Sequence, residues 1–194
     1  MTTAGVVLAA GAGRRMGRPK ALVDGWLHHA IDNLAECEQV IVVLGAQADR
    51  ARALVADRNV LVVVAQDWNT GMGASLRAGL HALPEALPEA TRCLVTLVDL
   101  PDVGVDVMQR VLAQPDTTDV LARASYDAVP GHPVLLGRDH WAGVIAAATG
   151  DRGARDYLRA HPPVLVECGD LATGRDVDRP VGTAEPTPHQ PTDG

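Results

Sequence analysis

With 194 residues, the chain has the length of one α/β domain and can bury a full core. A formal net charge of −7 argues against non-specific nucleic-acid binding, and no stretch approaches ~20 uninterrupted apolar residues, so no membrane span is expected. Cys37, Cys93 and Cys168 lack C-x-x-C spacing and read as buried thiols in a reducing, cytoplasmic compartment; with no Phe, the core falls to Val, Leu, Ile and Ala.

Met1-Thr2-Thr3-Ala4 leads directly into a strand, and no signal peptide is expected. The strand is the run Val6-Val7-Leu8-Ala9-Ala10, short, continuous, β-branched and bounded by glycine, as buried parallel strands are. It runs into Gly11-Ala12-Gly13-Arg14-Arg15-Met16-Gly17-Arg18-Pro19-Lys20. The glycines let the backbone turn sharply and approach a ligand closely. Successive amides in such a turn form an anion-binding concavity. Arg14, Arg15, Arg18 and Lys20 add cations, and together these features describe a triphosphate cradle. Two familiar loops fail here. A dinucleotide fingerprint needs a third glycine where Met16 stands and an acid after the second strand, which ends Val43-Leu44-Gly45-Ala46. A P-loop needs a hydroxyl after its lysine, and Lys20 precedes Ala21.

Onward, the pattern predicts a helix over 27–35, a strand over 39–44, an amphipathic helix over 48–55 and a strand over 60–64. A polar, glycine-bearing loop at 66–73 precedes a helix over 74–83, with Ser75 in its first turn. A strand follows over 93–98, a helix over 105–113, strands over 119–124 and 133–136, helices over 140–148 and 152–160, and a last strand over 164–168. Residues 183–194 are Pro- and Thr-rich and are expected to be a disordered tail, leaving a domain over 1–182. The alternation predicts a single three-layer α/β/α domain with a mainly parallel, Rossmann-like sheet. Ligands of such sheets sit beyond the carboxyl ends of the strands, where Gly11, Asp67, Asp99 and a turn at Gly131 are expected.

The second informative stretch is Leu94-Val95-Thr96-Leu97-Val98-Asp99-Leu100-Pro101-Asp102. Asp99 ends a hydrophobic strand, so it offers an oxygen ligand at a fixed place, as Mg²⁺ requires. Asp102 reads instead as a helix N-cap.

The glycine loop resembles the signature L-A-[AG]-G-x-x-x-R-M-G-x-x-K of MobA-like nucleotidyltransferases, matched by Leu8, Ala9, Gly11, Arg15, Met16, Gly17 and Lys20. Asp99-Leu100-Pro101 resembles the family's metal-binding D-x-P motif, and Gly71-Met72 with Ser75-Leu76 its nucleotide-contacting G-M-x-x-S-L. Gly131-His132-Pro133-Val134, Gly150-Asp151-Arg152-Gly153-Ala154-Arg155 and Asp176-Val177-Asp178-Arg179-Pro180 resemble further elements, Arg179 standing where Thr is common. The segment 22–27 is shorter than usual.

The resemblance implies a nucleotide-diphospho-sugar-transferase type of fold. It implies a nucleotide site at Leu8, Ala9, Ala10, Gly11, Gly13, Arg15, Lys20, Gly71 and Ser75, with Arg15, Lys20 and Asp99 catalytic. Mg²⁺ would be held by Asp99 and Asp178, and the acceptor by His132, Asp151 and Arg155. The reaction implied is NMP transfer from an NTP to a phosphorylated small-molecule acceptor, with release of pyrophosphate. The leading case is CMP from CTP onto a molybdopterin-type cofactor, with transient contacts to molybdoenzyme maturation proteins. CTP is favoured because Leu8-Ala9-Ala10-Gly11 matches the cytidylyl members, and the Ala10 Cβ narrows the site beside the base. Bland readings stand beside these: Ser75 as a cap, His132 as a satisfied structural group, Arg155 as a solvated helix start. Two other functions remain: an NAD(P)H-dependent oxidoreductase of the nicotine blue oxidoreductase type, and a non-catalytic nucleotide-binding maturation factor.

Overall fold

A computed structural model describes residues 2–179 of the chain; the tail expected at 183–194 lies outside them. Seven strands form one sheet: β1 (Thr2–Ala9), β2 (Gln39–Leu44), β3 (Val60–Val64), β4 (Ala90–Leu97), β5 (Leu121–Tyr126), β6 (Val129–Gly137) and β7 (Val164–Glu167). Their order is β3-β2-β1-β4-β6-β5-β7. β6 runs antiparallel to both neighbours and the other pairings are parallel. The helices are α1 (Trp26–Asp32), α2 (Ala48–Leu54), α3 (Met72–Ala86), α4 (Val105–Leu112), α5 (Arg138–Ala147) and α6 (Arg155–Ala160). The expected three-layer, mainly parallel architecture is therefore the observed one, and no helix among the described residues is long and apolar enough to cross a membrane.

β1 is apolar without alternation because both its faces are covered. Val7 and Ala9 pack with Leu27 and Ile31 of α1 and Val107 and Val111 of α4. Val6 and Leu8 pack with Leu76, Leu80 and Leu83 of α3, Trp141 of α5 and Leu158 of α6. The three cysteines are free; burial pushes the Cys37 thiol up to about 12, so it is protonated and inert at neutral pH.

Four departures from the sequence expectations bear on the site, beside shifts in element bounds such as the expected helix over 152–160, which starts only at Arg155. Helix α3 starts at Met72, because Gly71 adopts φ 122° at its N-terminus, and it continues through Pro84. The strands of the β5–β6 hairpin extend to a two-residue turn, Asp127-Ala128, with φ of 52° and 65°. Such turns usually carry Asn-Gly or Asp-Gly. Here the Glu167 carboxylate accepts both turn amides, at 2.9 and 3.1 Å, and the Ser125 hydroxyl at 2.8 Å. Consequently Gly131-His132-Pro133 is not a turn but part of β6, whose antiparallel course still brings it to the carboxyl edge of the parallel strands. Finally, Asp102 is not the cap of α4. That helix begins after Gly104 without a side-chain cap, and Asp102 accepts the Thr173 amide at 2.7 Å and its hydroxyl at 2.5 Å.

Candidate active site

Beyond the carboxyl end of β1 lies a cavity of about 700 Å³. Leu8, Ala10, Gly11 and Gly13 line it, whereas the Ala9 side chain points into the core on the opposite face of the sheet. The two glycines act differently. Gly13 adopts φ 59°, and an added Cβ would fall 1.9 Å from the Arg18 carbonyl oxygen, so the turn itself requires glycine. Around Gly11 the space is open, leaving its backbone accessible from the cavity. Among the described residues, the amides of Gly11 to Arg15 donate no hydrogen bond, so this stretch presents unpaired donors beside Arg14 and Arg15.

The cavity's other side is acidic. Asp99, at the end of β4 and buried, Asp176 and Asp178 each place a carboxylate oxygen within 4.8 Å of the others. The C-terminal segment is fixed by three contacts. Its Val177 amide donates to the Asp99 carbonyl at 3.0 Å, Thr173 is held by Asp102, and Gly174, at φ 62°, packs so close to the Tyr126 ring that a Cβ would lie 2.0 Å from it. Lys20 unites the cluster: its ammonium donates to the Asp99 carboxylate and to Asp178 Oδ1 at 2.7 Å. Arg15 donates to Asp178 Oδ2 at 2.6 Å. Burial alone would lower the Lys20 pKa, but the hydrogen bonds to Asp178 and Asp99 and their charges outweigh it and raise it. The hydrogen bond from Lys20 in turn holds the Asp178 carboxyl below its ordinary range, with the charges of Lys20, Arg15 and Arg179 adding to it. Three hard oxygen donors converging on one point fit a cation such as Mg²⁺ or Mn²⁺.

The facing wall is the stretch from Trp68 to Met72 together with Ser75. Ser75 is buried in the first turn of α3, and its hydroxyl caps nothing and has no hydrogen-bond partner among the described residues. Gly71 lies against the backbone of Gly150, where a Cβ would fall 2.4 Å from its carbonyl carbon. This contact brings Asp151 to the cavity rim. Asp151 also lines an adjoining cavity of about 150 Å³ with His132, Arg123 and Arg155, over a floor that includes Leu76, Val134 and Leu158.

The structure thus brings Leu8, Ala10, Gly11, Gly13, Arg15, Lys20, Gly71, Ser75, Asp99 and Asp178 to one cavity and His132 and Arg155 to the next, with Asp151 between them. Ala9 lines neither, and Asp67, at the same edge, is paired with Arg77 at 2.7 Å. Sequence reasoning missed Asp176, Trp68 and Arg123. Asp176 had a signal, since it opens the same Asp-Val-Asp stretch as Asp178.

The profile of the MobA-like NTP transferase domain matches residues 5–164. The nicotine blue oxidoreductase of Paenarthrobacter nicotinovorans is 36% identical over 189 residues, which cover 90% of this chain and 91% of that protein. A probable molybdenum cofactor guanylyltransferase of Rhodopirellula baltica is 35% identical over 109 residues, 53% of this chain and 50% of that one. The crystal structure of Rv0371c from Mycobacterium tuberculosis H37Rv matches with a TM-score of 0.75 at 28% identity, over 92% of this chain and 94% of that one. Its complex with manganese matches at a TM-score of 0.68 and 29% identity, over 87% and 88% of the two chains.

His132 generates a pH prediction. Burial, and then the charge of Arg123, pushes its imidazole from 6.5 down to about 4, so the folded protein holds it neutral. Between those values the unfolded chain binds more protons than the native one, and stability falls as pH falls. The contribution is complete above 6.5 and fades toward 4. His132→Gln is therefore expected to lose less stability than the wild type between roughly pH 7 and 5, read from urea midpoints; equal losses contradict the neutral assignment.

Proposed function

The chain belongs to the MobA-like NTP transferase family and is a nucleotidyltransferase, and from that premise we propose that it transfers CMP from CTP to a phosphorylated, molybdopterin-type acceptor with Mg²⁺ at Asp99, Asp176 and Asp178. The observation that carries the reading is the meeting of these carboxylates with Lys20 beside a loop of unpaired amides. In the reaction an acceptor phosphate oxygen attacks the α-phosphorus in line, the bond to the β-phosphate oxygen breaks, and pyrophosphate leaves. No protein nucleophile is needed, so the residues must align two anions and neutralise growing charge. When bound, the cation supplies Lewis-acid polarisation of the phosphate oxygens. The amides of Gly11 to Arg15 and the Arg15 guanidinium face the β- and γ-phosphates. Lys20 pairs with Asp99 and Asp178 in the structure as it stands, and with a cation held there its ammonium would be available to the phosphates. The Ser75 hydroxyl is an unused partner for the ribose or base.

The base preference follows from crowding. Ala10 and Trp68 both line the cavity, and behind them Gly45 packs so closely that an added Cβ would fall 2.5 Å from the Trp68 ring and 2.7 Å from the Ala10 carbonyl oxygen. In this reading a methyl at Ala10, where glycine would leave more room, narrows the site beside the base, which a one-ring base tolerates better than a two-ring base. A second reading is favoured by the 36% identity to nicotine blue oxidoreductase: NAD(P)H-dependent reduction at the same cavity. Met16 in place of the third fingerprint glycine counts against it.

Pyrophosphate release from CTP, against NADPH oxidation followed by its absorbance, separates the two readings. In the transfer assay, Asp99→Asn is expected to cost at least ~10²-fold in turnover with the fold intact, the scale of losing one electrostatic stabiliser. Near-normal turnover in the folded variant removes Asp99 from the mechanism. Competitive binding of CTP and GTP is expected to favour CTP by ~10- to 200-fold, the worth of about one methyl group in a pocket. Ala10→Gly should shrink that margin, and an unchanged ratio shows that Ala10 does not set it.

A further inference from the structure

We propose that Arg123 and Arg155 form a two-guanidinium clamp for the phosphate of the acceptor, an inference that rests on the transferase reading above. Both side chains line the smaller cavity, Arg123 rising from strand β5 and Arg155 from the start of α6. The Arg123 guanidinium is aimed by the backbone of β6: its Nε and Nη2 donate to the Gly131 carbonyl oxygen at 3.1 and 2.9 Å. That oxygen uses two of its five N–H donors, and Nη1 has no partner among the described residues. No side chain of the described residues pairs with Arg155. The adjacent acid is taken, because Asp156 binds Arg152 and Arg159, both at 3.1 Å.

Of the three arginines lining this small cavity, Arg152 is paired with Asp156, whereas among the described residues neither Arg123 nor Arg155 has a carboxylate partner within 4.0 Å. The strain shows in Arg123, whose pKa is lowered first by burial and then by the positive charge of Arg155. Repulsion between close charges in a partly dry pocket is relieved when an anion enters, and guanidinium groups match phosphate oxygens bidentately. The remaining groups fit that occupant. His132 is neutral, so it adds no further positive charge and offers one donor and one acceptor. The apolar floor accepts the body that carries the phosphate. Asp151, the acid among the lining residues, lies where the two cavities join. The sign of charge thus alternates: basic at the glycine loop, acidic at the divide, basic again at the clamp.

The test uses inorganic phosphate as probe, with thermal shift and calorimetry on the wild type, Arg123→Gln, Arg155→Gln and Lys20→Met, without nucleotide. Phosphate is expected to stabilise the wild type and Lys20→Met, and to bind each arginine variant roughly 10-fold or more weakly, the cost of losing a charged hydrogen-bond partner. Arg155 is exposed, so its variant guards against a folding defect in Arg123→Gln. CTP binding by both arginine variants should remain as in the wild type. Wild-type phosphate affinity in both arginine variants, or its loss in Lys20→Met alone, overturns the clamp and places the ion at the glycine loop. Loss of phosphate binding in the arginine variants, in a protein that neither binds CTP nor releases pyrophosphate, upholds the anion clamp and refutes the transferase reading instead.

Discussion

The Lys20 ammonium sits between two carboxylates that come from distant parts of the chain, Asp99 at the end of β4 and Asp178 near the end of the described residues. Without it, three carboxylates would crowd a space within 4.8 Å. Two like charges about 4 Å apart near a protein surface repel by about 4 kcal/mol, so such a cluster keeps its full charge only beside a counter-charge. The ammonium therefore does two things in the structure as it stands. It ties the glycine loop to the strand edge and to the C-terminal segment, and it supplies positive charge where the transfer reaction calls for a cation. Arg15, on the outer oxygen of Asp178, extends the same compensation toward the open side of the cavity.

The rest of the site is arranged by close backbone packing rather than by side-chain reach. Gly71 on Gly150, and Gly73 on Ala148 and Thr149, let the start of α3 touch the 148–151 segment directly. A side chain at Gly71 would push that segment, and Asp151 with it, away from the cavity rim. On the opposite side the Tyr126 ring lies between Gly131 of β6 and Gly174, with its hydroxyl donating to the His132 carbonyl oxygen at 2.6 Å. One aromatic side chain thus sets both the strand that carries His132 and the segment that carries Asp176 and Asp178. In a chain with no Phe and little other aromatic content, that contact is one of the few large rings available to do so.

Much of this was legible in the chain itself. The C-terminal halves of β1 and β4 are rich in buried apolar residues because both faces of the sheet are covered, and these runs placed the glycine loop and Asp99 at one edge. The rest depended on contacts the sequence does not display. The Asp127-Ala128 turn lacks glycine, and its amides are held by Glu167, some 40 residues away. Asp102 precedes a helix in the sequence, but the helix starts only after Gly104, two residues on, and Asp102 holds Thr173 instead. Asp176 joins the carboxylates only when Val177 docks on Asp99. Arg123 looks like an ordinary polar residue of a strand until the antiparallel β6 places the Gly131 carbonyl beside it. Local periodicity finds elements well; it is silent on which distant group will satisfy a given donor or charge.

In electrostatic terms, the Lys20 ammonium occupies the place of a divalent cation. Titration of Mn²⁺ into nucleotide-free protein, followed by the electron paramagnetic resonance of the free ion, tests it most directly. With Lys20→Met the carboxylates lose their internal counter-charge, so the variant is predicted to bind Mn²⁺ more tightly than the wild type. Replacing Asp99, Asp176 and Asp178 together by Asn should abolish that gain. Equal or weaker Mn²⁺ binding in a folded Lys20→Met protein would contradict the account.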